Sequence, residues 1–312
     1  MKHNCLYCYN ELNGEIDFHQ KCSIEFFGSK IAPQLPYTYN QMTDLAKEVI
    51  DRRVSVPGVQ AKLSMSVVNK ALKKDNRLTV VDALGGNYIF KPPNNKFPEI
   101  PQNEHATMRM AEAIGIKVVP SSLIKLQSGE LSYITKRIDR TDDGSKIHML
   151  DMFQLTEAFD KYKSSMEKIG KVIDMYSANT ALDKLYFLEL SLFSFLTGNN
   201  DMHLKNFCLI VTDYGWILSP AYDLLNVTIL NPDNKEEMVL PIEGKKKKLQ
   251  RKHFEQLGNS LGLTLKQISG VFNRFYVKKE VVIMVLNSSF LSSEMKSKYL
   301  QILNERYDTI YL

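Results

Sequence analysis

The sequence has few of the features that set special classes of protein apart. Its 312 residues include only one tryptophan and four cysteines. So few cysteines in a chain of this length exclude a disulfide framework as the main source of stability. The most apolar run, residues 181–198, is interrupted by Asp183, Lys184 and Glu189, so it predicts a core helix and not a membrane span. An N-terminal signal pattern is also missing, because Met1 to Asn4 lead directly into cysteines. The cytoplasm is therefore the expected location.

What is present is the composition of a globular protein with room for two lobes. Hydrophobic residues make up 44% of the chain and charged residues 24%, both ordinary values. Part of the net charge of +5 lies in "GKKKKLQRKHF", which contains the run Lys245–Lys248. This run fits a solvated turn before a helix. It also fits a patch for nucleic acid or an acidic partner, because lysines release counterions when they bind DNA.

The pattern of apolar residues changes near residue 140 and predicts an α+β fold in two lobes. Residues 29–140 show a helix, several strands and one prominent helix over 103–115, which Asn103 could cap and Gly115 could end. Residues 141–312 are mainly helical, beginning with the helix expected at "DMFQLTEAFDKY". A hairpin, "FCLIV" and "WIL" around "TDYG", interrupts these helices. We therefore expect a mixed N-lobe, a helical C-lobe and a cleft between them.

The stretch "GNNDMHLKNF" is rich in polar residues and comes at the end of the most apolar run of the chain. It contains Asp201 and Asn206, and Asp223 follows after the predicted hairpin. A carboxylate that orients a nucleophile, together with an amide and a second carboxylate that hold Mg²⁺, is the set that phosphoryl transfer requires. The Asp-x-x-x-x-Asn spacing is that of a protein-kinase catalytic loop. The alternative is a polar loop that caps its own backbone.

A nucleotide site also needs a cation for the phosphates and a loop that covers them. Lys91 ends the predicted strand "NYIFK", and Glu104 lies near the start of the next helix, as in the lysine–glutamate pair of kinases. The segment Pro57 to Lys62 offers backbone N–H groups around Gly58, although it is not a G-x-G-x-x-G loop. A solvated lysine is the alternative for Lys91.

The first 28 residues contain three of the four cysteines and predict a unit of their own. Cys5, Cys8, His19 and Cys22 form a C-x2-C and an H-x2-C pair, which suits tetrahedral structural Zn²⁺. Four protein ligands leave no open position, so a catalytic metal is not expected here. A reduced cysteine pair beside a surface histidine is the alternative. Cys208, inside "FCLIV", is expected in the core.

Seven stretches resemble, in order and spacing, the HipA-like serine/threonine kinases, which are toxins of bacterial toxin–antitoxin modules. They are "SVPGVQAK", "YIFKPP", "NEHATMRMAEAIGI", "ITKRIDR", "DMFQL", "TGNNDMHLKNF" and "SPAYDLL". The resemblance covers the chain from about residue 50 onward. It implies a kinase-like fold distantly similar to that of phosphatidylinositol kinases.

The resemblance also implies a role for each matching residue. Asp201 matches the catalytic aspartate, Asn206 and Asp223 match the Mg²⁺ ligands, and Lys91 matches the lysine on the ATP phosphates. The other implied ATP-binding residues are Pro57, Gly58, Val59, Gln60, Ala61, Lys62, the hinge residues Lys136, Arg137 and Ile138, and His203, Leu204, Lys205 and Tyr222. Ser55 matches a serine that autophosphorylates in the family, and a phosphate there would repel those of ATP. An ordinary loop serine is the alternative.

The resemblance further implies partners. The chain resembles the short HipT-like form, which lacks an N-terminal subdomain that can be encoded as a separate small protein, so such a partner and a helix-turn-helix antitoxin are expected. DNA would be reached through the antitoxin. The implied target is a translation factor such as an aminoacyl-tRNA synthetase. Two other functions stay open: a small-molecule or lipid kinase, since D-x-H-x-x-N also marks phosphatidylinositol kinases, and a catalytically idle DNA-bound corepressor.

Overall fold

The structure, a computed structural model, describes residues 4–14, 16–52, 62–69, 76–81, 86–141 and 143–312. It divides into two compact units. Unit 1 comprises Met1–His105, Val119–Lys146 and Ser288–Phe290, and unit 2 comprises Ala106–Val118, Ile147–Asn287 and Leu291–Leu312. Within the described residues, no helix combines the length and apolar character that a membrane crossing requires.

Unit 1 is built on an antiparallel five-stranded sheet in the order β2-β1-β3-β5-β4. Its elements are α1 (Gln20–Phe27), α2 (Tyr39–Arg52), β1 (Leu63–Asn69), β2 (Asn76–Val81), β3 (Tyr88–Lys91), β4 (Ser121–Lys125) and β5 (Leu131–Lys136). The alternation in β1 puts Leu63 and Met65 into the core, at 2% and 0% exposure. The helix and the several strands predicted before residue 140 are present among the described residues.

The N-terminal Cys/His unit and the sheet share one hydrophobic core. Phe26 and Phe27 of α1 lie beside Tyr88 of β3, with ring centroids 5.8 and 6.1 Å from the tyrosine. Leu6 belongs to the same cluster as Phe90, and its carbonyl accepts a hydrogen bond from the N–H of Leu123 at 3.2 Å. Residues 4–28 are therefore packed onto the sheet and bury apolar surface with it.

Helix α3 (Ile100–Ala113) begins three residues before the predicted start. Asn103 is not its cap, because the Asn103 N–H already donates to the Glu99 carbonyl at 2.9 Å. Pro101 is compatible with the longer helix, since the first turn leaves its N–H groups unused. Gly115 ends the helix as predicted, with a left-handed φ of 94°.

Unit 2 is mainly helical and contains a three-stranded antiparallel sheet in the order β6-β7-β8. Beyond its part of α3, its elements are β6 (Met149–Asp151), α4 (Met152–Leu155), α5 (Met166–Tyr176), α6 (Thr180–Leu196), β7 (Cys208–Thr212), β8 (Gly215–Leu218), α7 (Arg251–Ser260), α8 (Leu265–Val277), α9 (Lys279–Ser288) and α10 (Ser293–Tyr311). The hairpin predicted around "TDYG" is confirmed as β7–β8. Strand β6, which pairs with β7, lies in a stretch that the sequence did not predict as extended.

The helix predicted over "DMFQLTEAFDKY" is wrong for most of its length. Helix α4 has only four residues. Asp151 caps it, because its side chain accepts from the Gln154 N–H at 2.8 Å. Glu157 then adopts a left-handed φ of 50°, which a continuing α-helix does not allow. The rest of the stretch is turn.

Candidate functional site

Helix α6 ends in a turn that depends on a glycine, and the polar loop begins at this turn. Gly198 has a φ of 68°, and its N–H bonds to the Phe195 carbonyl at 3.2 Å while that of Asn199 bonds to Ser194 at 2.8 Å. These two hydrogen bonds form a Schellman cap. A Cβ on Gly198 would lie 2.9 Å from Asn226 Oδ1, so a larger residue has neither the conformation nor the space.

The loop that follows is closed on itself by three hydrogen bonds. The Asp201 carbonyl accepts the His203 N–H at 2.8 Å and the Asn206 side-chain amide at 3.0 Å, and the His203 carbonyl accepts the Asn206 N–H at 2.9 Å. A short 3-10 helix, Leu204–Asn206, results. Because the Asn206 NH₂ group is used on Asp201, its Oδ1 is the atom that can coordinate a hard cation. Asp201 itself is half-buried.

Two lysines lie at the middle of the loop: Lys205, which belongs to it, and Lys161, which contacts it from an earlier part of the chain. Lys161 Nζ lies 2.8 Å from His203 Nε2, and the Tyr162 ring stands edge-on to the imidazole at 5.3 Å. A lysine ammonium can only donate, so the imidazole accepts at Nε2 and carries its proton on Nδ1. Lys205 is exposed, with Nζ 4.8 Å from the centre of the Phe153 ring. Leu204 is fully buried.

The segment around Asp223 is tied to the same loop. The Tyr222 hydroxyl donates to the Lys205 carbonyl at 2.9 Å, so the Cys208 thiol, 2.7 Å away, donates to Tyr222. Burial, with a smaller contribution from nearby charges, raises the pKa of Tyr222 well above its usual value, and burial raises that of Cys208 to about 12. Cys208 is thus a core residue, as predicted. Asp223 has a left-handed φ of 59°, a conformation that aspartate tolerates better than most residues.

In unit 1 a buried ion pair links β3 to α3. Lys91 Nζ lies 2.5 Å from Glu104 Oε1, and the two residues are 3% and 0% exposed. The ammonium also lies 5.3 Å from the centre of the Tyr133 ring. The pairing predicted from the sequence is confirmed. Contact with ATP phosphates stays a prediction.

The predicted hinge follows β5. The N–H of Lys136 donates to Pro120 at 3.0 Å and that of Arg137 to Asn87 at 2.8 Å, so adenine contacts here would use other backbone groups such as those of Ile138. The Arg137 side chain binds Asp139 through Nε at 2.9 Å and Nη2 at 2.7 Å. Burial opposes ionisation of Asp139, but the bonds from Arg137 and the charges of Arg137 and Arg140 hold its pKa below the usual value.

The predicted metal ligands at the N-terminus lie together. The ligand atoms of Cys5, Cys8, His19 and Cys22 all lie within 4.8 Å of one another. His19 Nδ1 is 3.5 Å from Cys8 Sγ and 3.8 Å from Cys22 Sγ. Zinc bonds of about 2.1 Å to nitrogen and 2.3 Å to sulfur in a tetrahedron separate the two atoms by about 3.6 Å. The donor set therefore fits zinc.

The tautomer of His19 supports this fit, and the pKa values of the three thiols differ from one another. His19 Nε2 lies 3.0 Å from the Glu11 carbonyl, which fixes the proton on Nε2 and leaves Nδ1 as the ligand atom. A hydrogen bond with Cys8 lowers the pKa of Cys5 to about 4, whereas the same bond raises the pKa of Cys8 and burial raises that of Cys22. A divalent cation would favour the thiolate form of all three.

Several predicted residues lie outside the described part of the chain or apart from these clusters. Ser55, Pro57, Gly58, Val59, Gln60 and Ala61 lie outside the described residues. Lys62 is exposed and directly precedes β1. In the basic run, Lys245, Lys247 and Lys248 are exposed, and Lys246 Nζ is 3.6 Å from Glu236.

Sequence reasoning missed the residues that support these groups. Lys161 reaches His203 from 42 positions away, and Tyr9 lies 2.8 Å from His105 across 96 positions. No local pattern reports such contacts. One signal could have drawn attention to Tyr9. A tyrosine directly follows the C-x2-C pair, at a position where a glycine would suit the turn.

Comparisons with known proteins agree with this architecture. Residues 54–281 match the model of the HipA-like C-terminal domain. A Sinorhizobium fredii protein named "Putative kinase Y4dM" is 36% identical over 190 residues, which cover 56% of this chain and 45% of that protein. The "Serine/threonine-protein kinase toxin HipA" of Shewanella oneidensis is 23% identical over 211 residues, 61% of this chain and 47% of that one.

The fold is that of a solved HipA structure. The Shewanella oneidensis complex of HipA, HipB and operator DNA contains a chain that matches with a TM-score of 0.66 at 20% identity, covering 85% of this chain and 70% of the other. This chain spans about half the length of the curated relatives it matches. Because the domain match covers well over half of its residues, the chain belongs to the HipA-like family and has the α+β kinase-like fold of HipA.

Proposed function

We propose that the chain is an ATP- and Mg²⁺-dependent serine/threonine protein kinase that acts as the toxin of a toxin–antitoxin module. The observation that carries this proposal is the closed loop from Asp201 to Asn206, in which the asparagine amide bonds to the Asp201 carbonyl at 3.0 Å. That bond commits the NH₂ group of Asn206 to the protein and turns its oxygen into a ligand.

Each residue has a distinct task in this mechanism. Bound ATP supplies the phosphoryl group, and bound Mg²⁺ neutralises charge on its phosphates. Asp201 orients the attacking hydroxyl and accepts its proton. Asn206 and Asp223 provide oxygen ligands for the metal, and Lys91, held by Glu104, provides the cation for the phosphates. Lys136 to Ile138 bind adenine, and residues Pro57 to Lys62 cover the phosphates.

Structural zinc at Cys5, Cys8, His19 and Cys22 belongs to the same proposal. Four ligands close the coordination shell, so the metal cross-links the N-terminal segment and takes no part in phosphoryl transfer. The N–S spacings of 3.5 and 3.8 Å support zinc over a reduced cysteine pair.

Ser55 is proposed as the autophosphorylation site. A phosphate would add about two negative charges at pH 7 beside the segment Pro57 to Lys62, where the ATP phosphates are proposed to bind. Repulsion would then weaken ATP binding, so the modification would switch the enzyme off.

We propose three partners for the chain. They are a helix-turn-helix antitoxin, a separate small protein that supplies an N-terminal subdomain, and a translation factor such as an aminoacyl-tRNA synthetase. The antitoxin is supported by the related Shewanella oneidensis complex, which contains HipA with HipB and operator DNA. DNA would be contacted through the antitoxin. Co-purification from the native operon tests the antitoxin and the small protein, and a chain that retains neither of these two would contradict this part of the proposal.

Phosphosite mapping after incubation with ATP, Mg²⁺ and cell extract tests the activity. We expect phosphate on protein, including Ser55, and none with Asp201→Asn; Asp213→Asn is the matched control, because Asp213 is an exposed aspartate in the turn between β7 and β8. Phosphate on lipid alone would favour the lipid-kinase alternative. A growth assay in which the Asp201→Asn variant is as toxic as the parent would falsify the kinase proposal, and a DNA shift without antitoxin would favour the corepressor.

A further inference from the structure

Two non-glycine residues described in the Cys/His unit, Tyr9 and Asp17, have a left-handed φ, and aspartate tolerates this conformation better than tyrosine does. Tyr9 directly follows Cys8, and its N–H donates to the Cys5 carbonyl at 3.0 Å, which closes the turn between the two cysteines. The turn requires a left-handed φ of 67° at Tyr9. Glycine adopts this conformation without cost, whereas any residue with a Cβ is strained by it. A tyrosine here indicates that its side chain is needed.

The Tyr9 side chain reaches helix α3. It is 5% exposed, and its hydroxyl shares a hydrogen bond of 2.8 Å with His105 Nδ1. The two rings stand edge-on at 5.1 Å, and Phe290 closes the other side of the tyrosine at 5.6 Å. His105 is fully buried, so this contact is a fixed part of the interior of unit 1.

His105 is the direct neighbour of the glutamate that binds Lys91. Glu104 and His105 lie in the first turns of α3, and neighbouring residues of a helix differ by about 100° around its axis. Because the two residues are consecutive in α3, we expect the contact that holds His105 to influence the direction of Glu104 as well. The His105 ring also lies 6.4 Å from that of Tyr133, over which Lys91 Nζ is placed at 5.3 Å.

A second contact joins the Cys/His unit to the end of β5. Lys136 Nζ donates to the Glu25 carbonyl in α1 at 3.2 Å and lies 5.9 Å from the centre of the Phe26 ring. The Tyr88 hydroxyl donates to the Phe26 carbonyl at 3.3 Å. The unit thus contacts both the Lys91–Glu104 pair, through His105, and the proposed adenine-binding segment.

We infer that Tyr9 is a positioning residue for the nucleotide site. The Cys/His unit, which zinc is proposed to organise, holds Tyr9 in a strained conformation, Tyr9 holds His105, and His105 sets Glu104 against Lys91. This inference rests on the proposed function, because Lys91 is assigned to the ATP phosphates there. It predicts that the N-terminal unit controls ATP affinity and not only stability.

Tyr9→Phe tests the inference, with Tyr7→Phe as its matched control. Tyr7 is similarly buried, at 7% exposure, and its hydroxyl donates to Glu25 of α1 at 2.7 Å, a contact within the Cys/His unit. Zinc content, thermal midpoint, the Kd for a non-hydrolysable ATP analogue with Mg²⁺, and kcat and KM are measured on the full chain. Amide exchange in the first turns of α3 is followed as well.

We expect both variants to keep their zinc and to lose similar, small amounts of stability. Tyr9→Phe should raise the Kd and the KM for ATP about two- to tenfold, the range that one hydrogen bond supplies, with kcat little changed. It should also speed amide exchange in α3, whereas Tyr7→Phe does neither.

Equal effects of the two variants on Kd and on α3 exchange, or none, would overturn the inference. If the parent chain binds no ATP analogue, the proposed function has failed instead, and α3 exchange alone still reports whether Tyr9 positions the helix. Measurable binding by the parent with identical Kd values for both variants leaves the kinase proposal intact and removes the role of Tyr9.

Discussion

The two units hold their functional groups by different means. In unit 1 the groups are fixed by other side chains: three thiols and an imidazole face one another, and Lys91 is paired with Glu104 at 2.5 Å. In unit 2 the groups are fixed by the backbone. The Asp201 carbonyl accepts two of the three bonds that close the loop, and Gly198 starts it.

This difference predicts opposite responses to mutation. A buried charge in unit 1 depends on its partner, so removing either member costs folding free energy. In unit 2 the backbone carbonyl of Asp201 closes the loop, so we expect substitution of the Asp201 or Asp223 carboxylate to change activity more than stability. Stability and catalysis should therefore separate cleanly in unit 2 and remain coupled in unit 1.

Loss of the zinc proposed at the N-terminus is expected to have the largest effect on stability. Zinc binding contributes about 10–16 kcal/mol to isolated zinc-finger peptides, and much of that contribution should appear here as stability of unit 1. Cys22→Ser, or a strong chelator, should remove one equivalent of zinc and lower the thermal midpoint. Cys208→Ala is the control, since this buried cysteine lies outside the cluster. Less than half an equivalent of zinc in the parent chain would refute the assignment.

Among the variants that stay folded, Asp223→Asn should give the largest loss of kinase activity. Asparagine tolerates the φ of 59° at least as well as aspartate, so the thermal midpoint should stay nearly unchanged. A lost metal carboxylate removes about 4 kcal/mol of transition-state stabilisation, roughly a thousandfold in kcat. Kinase assays beside thermal unfolding check both halves of this expectation. An active Asp223→Asn variant would exclude Asp223 as a metal ligand.

Glu104→Gln tests the opposite behaviour of unit 1. It leaves the buried ammonium of Lys91 without a counter-charge, which should cost about 3 kcal/mol of unfolding free energy as well as ATP affinity. Glu112→Gln is the matched control on the same helix, because Glu112 pairs with Arg109 at the surface and should cost less than about 1 kcal/mol. Denaturant unfolding measures both. Equal losses would mean that the buried pair is not special.

The elements of the fold were largely predictable because their patterns are local. The alternation around Met65 and the apolar run that became α6 each report their own secondary structure. The misplaced start of α3 and the overlong helix after Asp151 both depend on single residues. Pro101 was compatible with a helix start, and the left-handed Glu157 carries no sequence signal.

The site was predictable where spacing carries the chemistry. The two cysteine–histidine pairs and the strand-lysine with its helix-glutamate are short patterns, and the structure brings their members together. The supporting contacts were not predictable, since Tyr9–His105 and Lys161–His203 join distant parts of the chain. Such contacts follow from packing, which a single sequence does not report.

Gly198→Ala tests whether the turn at the end of α6 holds the loop of unit 2 that carries Asp201. The left-handed φ of 68° and the 2.9 Å approach to Asn226 Oδ1 should together cost about 2 kcal/mol, less than loss of Glu104. Gly270→Ala is the matched control: this glycine lies within α8, a Cβ there meets no atom within 4 Å, and the substitution should stabilise by about 0.4–1 kcal/mol. Because the loop starts at Gly198, the variant should lose activity beyond its loss of stability, as measured by kcat at a temperature where it remains folded. Full activity in a destabilised Gly198→Ala variant would show that the loop geometry does not depend on this turn, and that the backbone of unit 2 holds Asp201 by other means.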